Sequence, residues 1–243
     1  MGVTVGPVTV REWRPLPHRS RVSGPAAPEV WPEVWKVRLD RPQRAEWQDW
    51  LSAAERDRAG RFADAGERHR YVVAHAALRS VLGELCGVPP GAVRLTAEAS
   101  GRPCLEPGGG RPDFNLSHSG DWALVAVAAP GTRVGVDVER VRADLDHLEL
   151  ARRMYQPEEA ERVREIGLVE YFRLWTAKEA YVKATGAGLA GLRSCLVRDT
   201  ATGSGTVASR SPREGWPVRW LDVAPGYAAA LVTTASTPAP RTG

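Results

Sequence analysis

The chain has 243 residues, 43% hydrophobic and 26% charged, a make-up that supports a folded core and excludes disordered, collagenous and fibrous classes. A net charge of +4 favours anionic partners without choosing among nucleic acid, phosphorylated small molecules and acidic proteins. The longest apolar run, residues 122–129, is too short to cross a bilayer, and the N-terminus lacks a charged head followed by an apolar stretch, so a cytoplasmic protein is expected.

Residues 1–30, rich in Pro, Gly and Arg, read as an irregular lead-in with one short strand at 3–10. Residues 31–39 alternate as a strand does, with Val34, Val37 and Leu39 among polar neighbours. Asp40 and Pro42 predict a capped helix start, and Ser52-Ala-Ala-Glu55 is a capping box for the next helix. Tyr71, Ala74, Leu78, Val81 and Leu82 then fall at helical spacing and predict a long helix over 66–86 with its apolar stripe in the core. Gly and Pro punctuate 87–120, leaving short strands at 93–95 and 114–116; buried strands follow at 122–129 and 132–139, joined by a turn at Pro130-Gly131.

The second half repeats the plan. Helices are predicted at 148–154, 157–166 and 169–184, then strands near Leu196, Val207, Val218 and over 227–233. Gly120-Asp-Trp-Ala-Leu-Val faintly echoes Gly226-Tyr-Ala-Ala-Ala-Leu-Val, as duplication would produce. These features divide the chain into halves at 1–131 and 132–235, with a disordered tail at 236–243. Cys86, Cys104 and Cys195 are odd in number, far apart and without a CxxC pair, so free thiols are expected rather than a disulfide framework or zinc site.

Three constellations carry chemistry. In Val134-Gly-Val-Asp137-Val-Glu139 the strand period places both carboxylates on one face, where like charges repel and a buried pair needs a cation. A hard divalent ion completed by phosphate oxygens fits; a solvated acidic edge beside Arg140 and Arg142 is the alternative. On the helix Trp175-Thr-Ala-Lys178-Glu179-Ala-Tyr-Val-Lys183, Trp175, Glu179 and Lys183 share one face. A surface ion pair would explain Glu179 and Lys183, but Lys36, Lys178 and Lys183 are the only lysines among 33 basic residues, which marks these positions as ones where arginine does not serve. The third is Gly101-Arg102-Pro103 with Phe114-Asn-Leu-Ser117-His118-Ser119-Gly120, which offers hydroxyls, an imidazole, backbone N–H groups and a forked guanidinium to an anion. A Ser/His hydrolase is disfavoured, because adjacent side chains of a strand point apart and no GxSxG elbow exists.

In this order the three pieces resemble the Sfp-type 4′-phosphopantetheinyl transferase family, and the likeness extends loosely over all but about the first 40 and last 10 residues through Arg58, Arg61-Phe62 and His69-Arg70. The resemblance implies an α/β (α+β) fold of two similar halves with pseudo-twofold symmetry and coenzyme A in the cleft between them. It implies transfer of 4′-phosphopantetheine from coenzyme A to a serine of apo acyl or peptidyl carrier proteins, releasing 3′,5′-ADP with Mg²⁺ as cofactor. By position, Asp137, Glu139 and Glu179 correspond to metal ligands, with Asp137, Glu179 and Lys183 carrying catalysis. Arg58, Arg70, Arg102, Pro103, Ser117 and His118 correspond to coenzyme A contacts, and Lys183 to the lysine on its pyrophosphate. Gly-Arg-Pro stands where the family more commonly has Gly-Lys-Pro, and Glu55 occupies a basic position.

A non-catalytic coenzyme A-binding protein would keep the arginines without needing the carboxylates. A nucleic-acid module is disfavoured because Trp47, Trp50 and Trp175 fall in core patterns and no basic run interleaves with aromatics. A monomer is expected from two halves on one chain, acting neither on nucleic acid nor on membranes, with the carrier docking near residues 141–157. The sequence does not distinguish fatty acid, polyketide and nonribosomal peptide carriers.

Overall fold

The computed structural model describes residues 8–14, 32–106, 110–199, 204–209 and 215–234; the predicted tail and most of the lead-in lie outside them. Strand β1 (Thr9–Glu12) runs parallel to β2 (Glu33–Arg38). The helix predicted from Asp40 starts later, as α1 (Glu46–Trp50): the Asp40 carboxylate is engaged by Arg38, whose Nε donates to Oδ1 at 3.0 Å, and so caps nothing. The capping box forms as predicted at the start of α2 (Ala53–Gly60), where the Glu55 amide donates to Ser52 Oγ and the Ser52 amide to Glu55 Oε2. Asp64 caps α3 (Ala65–Cys86), and left-handed Gly87 ends it.

Two short strands form a ribbon: β3 (Leu95–Ala97), shifted from the strand expected at 93–95, and β4 (Pro103–Leu105), which the punctuated sequence concealed. Strands β5 (Asp113–Ser119), β6 (Trp122–Ala128) and β7 (Val134–Arg140) follow, then helices α4 (His147–Met154), α5 (Pro157–Ile166) and α6 (Leu168–Thr185). A further helix not read from the sequence, α7 (Gly188–Ser194), precedes β8 (Leu196–Asp199), β9 (Ser204–Ala208), β10 (Trp216–Trp220) and β11 (Tyr227–Thr233).

Among the described residues the strands form a sheet of order β1-β2-β6-β5, an antiparallel sheet of order β7-β11-β10-β9-β8 and the β3-β4 ribbon. Each large sheet pairs an opening strand with a closing one, β2 with β6 and β7 with β11, and each half inserts a long helix, α3 or α6. The two echoed segments fall on β6 and β11, the closing strand of each pair. Three buried clusters result. One packs α3 against the first sheet, one packs α4 to α7 against the second, and the third joins Val34, Leu124, Ala126 and Ala128 to Val136, Val138, Ala229 and Leu231 across the two sheets. The third cluster makes the halves one body.

At their contact, β5 and β7 are two sheet edges that meet through side chains. The amides of Val134, Val136, Val138 and Arg140 donate to Asp113 Oδ2, Asn115 Oδ1, Ser117 Oγ and Ser119 Oγ, at 2.8, 2.9, 3.3 and 3.1 Å. Alternate side chains of β5 thus take the place of backbone carbonyls, satisfying β7 amides that burial would otherwise leave unpaired.

Candidate active site

The rows of side chains that β5, β7 and α6 direct at one another meet at Asp137. This residue is 2% exposed; its Oδ1 accepts from Lys183 Nζ at 2.6 Å and from Ser117 Oγ at 2.8 Å, while the buried Oδ2 has no hydrogen-bond partner. Two positions along β7, half-buried Glu139 accepts from Ser119 Oγ at 2.7 Å. Glu179 and Lys183 reach the cluster because α6 lies directly on β7: a Cβ on Gly135 would stand 1.9 Å from the Ala180 carbonyl oxygen, so only glycine permits the approach.

The electrostatics follow from crowding. Burial pushes the Asp137 carboxyl up, opposed by Lys183 and Ser117. Burial and then the Asp137 charge raise Glu139, and burial with Asp137 and Glu139 raises Glu179 against the pull of Lys183. One ammonium therefore faces three carboxylates. Among the described residues no three metal-binding side chains stand at ligand spacing, so the three converge electrostatically but not as a preformed cage. The acidic excess and the unpartnered Asp137 oxygen do suit a hard divalent cation with oxygen ligands.

The anion-binding side divides differently from the sequence expectation. A cavity of about 630 Å³ is lined by Glu55, His75, Arg79, Arg94, Pro103 and His118, among others. His118 lines it and keeps solvent-exposed surface; crowding by the surrounding protein, followed by the charges of His75 and Lys183, lowers its pKa. Arg58 is exposed, with its guanidinium 5.5 Å from the Phe62 ring centre; Arg70 pairs with Glu67 and Asp121, and neither arginine lines this cavity. The acidic substitution at Glu55 is neutralised locally. Burial would raise its carboxyl, but hydrogen bonds from His75, the Ser52 amide and Arg79 bring it down to about 2.

Arg102 and Ser117 are both engaged within the protein. Arg102 is 6% exposed; its Nε donates to the Lys183 carbonyl at 2.9 Å, Nη1 to Asp113 Oδ1 at 2.7 Å, and Nη2 to Asp113 Oδ2, Phe114 O and Val134 O at 2.8 Å each. The arginine fork makes this possible, tying β5, β7 and the end of α6 together where a lysine could not. The Ser117 hydroxyl serves Asp137 and Lys183.

Sequence reasoning missed Asp113 and did not read Asn115 and Ser119, both within its third motif, as acceptors for β7, although acceptor side chains at every second residue of one strand were the available signal. It marked Lys178 by the scarcity of lysine but did not read its partner: Lys178 is wholly buried against Glu159 at 2.7 Å and donates to the Cys195 carbonyl. That pair fixes α5, α6 and β8 in register behind the site, because Glu159 also accepts from the Val197 amide.

The profile described as the 4′-phosphopantetheinyl transferase superfamily matches residues 133–232, and one described as 4′-phosphopantetheinyl transferase, N-terminal, matches residues 39–130. The chain is 38% identical over 178 residues to the 4′-phosphopantetheinyl transferase HetI of Nostoc sp., covering 70% of this chain and 74% of that protein. It is 29% identical to the transferase ffp of Bacillus subtilis, and 26% identical to Sfp of Bacillus subtilis, in each case over 210 residues covering 82% of this chain and 91% of the relative. With HetI matched at that identity over most of its length, and the Asp137 cluster seated inside the superfamily match, the chain belongs to the 4′-phosphopantetheinyl transferase family and is an enzyme of that class.

Proposed function

We propose that this protein transfers 4′-phosphopantetheine from coenzyme A to a serine of an apo acyl or peptidyl carrier protein, with Mg²⁺ held by Asp137, Glu139 and Glu179. The observation that carries the reading is the acidic cluster around buried Asp137, with an unpartnered Asp137 oxygen and the Lys183 ammonium facing it. When bound, Mg²⁺ would neutralise charge on the pyrophosphate oxygens. Lys183 adds its ammonium to the same phosphates, held near them by its contacts with Asp137 and Ser117. The carrier serine oxygen forms a bond to the β-phosphorus, the bond from that phosphorus to the leaving phosphate of 3′,5′-ADP breaks, and the hydroxyl proton passes to Glu179 directly or through water. A carboxyl raised by burial and anionic neighbours accepts that proton more readily than an exposed one. Metal ligation makes Glu179 a weaker base, so ligation ranks first of its two roles.

His118 and Pro103 contact the nucleotide in the cavity, and Arg70 and Arg58 add positive charge at its approach. Arg102 acts on the site only through the elements it ties together. The halves divide at 131/132, supported by the two family matches that adjoin there. Among the described residues no helix is long and apolar enough to cross a membrane; we place the protein in the cytoplasm, as a monomer, with the carrier docking near residues 141–157.

The direct test incubates the protein with an apo carrier, coenzyme A and Mg²⁺ and measures the carrier's intact mass. A gain of one phosphopantetheine, abolished by EDTA and by Asp137→Ala, is expected. No gain across several apo carriers, despite coenzyme A binding, would instead mark a non-catalytic coenzyme A-binding protein.

A further inference from the structure

The four acceptors that β5 offers to β7 are not equivalent. Asp113 and Asn115 accept amide hydrogens, but a serine hydroxyl also carries a proton of its own to place. Ser119 Oγ accepts from the Arg140 amide at 3.1 Å and donates to Glu139 Oε2 at 2.7 Å. Ser119 therefore holds a carboxylate of the neighbouring β7 edge by a hydrogen bond, while its own position is set by the backbone next to that carboxylate. Glu139 is only half-buried and reaches the site on a flexible side chain, so without this bond several rotamers would be open to it.

We propose that Ser119 is a positioning residue for the metal site: its hydroxyl presets Glu139 for the divalent cation and does so from the opposite half of the molecule. This inference rests on the reading of Asp137, Glu139 and Glu179 as metal ligands. Its consequence is that the cation site is complete only when the two sheet edges are docked, because β7 carries Glu139 and β5 carries the group that orients it. Hydrogen-bond partners behind metal ligands affect affinity by roughly 10- to 100-fold, and the same order is expected here.

The experiment is calorimetric titration of Mg²⁺ into the intact protein saturated with coenzyme A, with no carrier present, so that binding is read without turnover. Ser119→Ala should weaken Mg²⁺ binding by about 10-fold or more, leave coenzyme A affinity measured in EDTA unchanged, and shift the Mg²⁺ dependence of turnover to higher concentration. Ser119→Thr, which keeps the hydroxyl, should recover most of the Mg²⁺ affinity. Wild-type Mg²⁺ affinity in Ser119→Ala, or a loss of coenzyme A affinity in EDTA instead, would overturn the proposal. If Ser119→Ala does not fold, Ser119→Cys takes its place as a poor donor of similar size, and unchanged Mg²⁺ affinity in that variant overturns the proposal equally. If Asp137→Asn binds Mg²⁺ as tightly as the wild type, the ligand reading itself fails, an outcome separate from a silent Ser119 substitution.

Discussion

Arg102 and His118 both stand in the sequence motifs expected to meet an anion, yet their surroundings differ. The buried Arg102 fork is matched to Asp113 and three carbonyl oxygens, so Arg102→Ala removes one partner of a buried ion pair and should cost about 3–5 kcal/mol of stability. Its kcat/KM should fall equally with coenzyme A and dephospho-coenzyme A, whereas an arginine reading the 3′-phosphate would lose only the first; steady-state kinetics on both substrates, with denaturant melts, decides. His118 faces the cavity with a lowered pKa, so it is mostly neutral in the free protein at pH 7. A bound phosphate favours the imidazolium and raises that pKa, so affinity is greatest at low pH and declines as pH rises through the bound-state value. Coenzyme A binding should weaken from pH 6 to pH 8. Dephospho-coenzyme A should show no such slope in calorimetry across that range, and His118→Ala should abolish it.

Among the elements, α6 and β7 determine whether the site exists, because the helix carries Glu179 and Lys183 and the strand carries Asp137 and Glu139. Gly135 allows their approach. Gly135→Ala would drive a methyl into the Ala180 carbonyl and the α6 backbone at Ala184, neither of which can yield without moving the helix. A loss of more than 3 kcal/mol is expected, on the scale of severe overpacking, with any folded fraction inactive; urea denaturation and the carrier mass assay check both. The β5 side-chain ladder is the complementary device: it joins two sheets at their edges without merging them, leaving the serine hydroxyls free to donate into the site.

For the molecule as a whole, the shared apolar cluster and the β5–β7 junction make independent halves improbable on physical grounds. Alone, the first half would expose Leu124 and the second Val136, Val138 and Leu231, each with an unpaired strand edge. One cooperative thermal transition is expected, with calorimetric and van't Hoff enthalpies equal. Two resolved transitions, or a soluble folded fragment 1–131, would show that the halves fold separately.

Local signals were enough for much of this protein. The capping box at Ser52, the helical stripe through Leu78 and Leu82, the strands over 122–128 and 134–140 and the ordered motifs that name the family are all short-range patterns, set by side-chain periodicity and capping chemistry. The same short range explains the errors. Asp40 looked like a helix cap until Arg38 took its carboxylate, and the charge of Arg102 is legible in sequence while its burial against Asp113 is not. By itself the sequence determined most of the elements, the family and the acidic and basic residues from which a site is drawn. Only the tertiary structure decided which of those charges remain free, because that depends on partners far along the chain: Asp113 and Lys183 for Arg102, Glu139 for Ser119, Glu159 for Lys178.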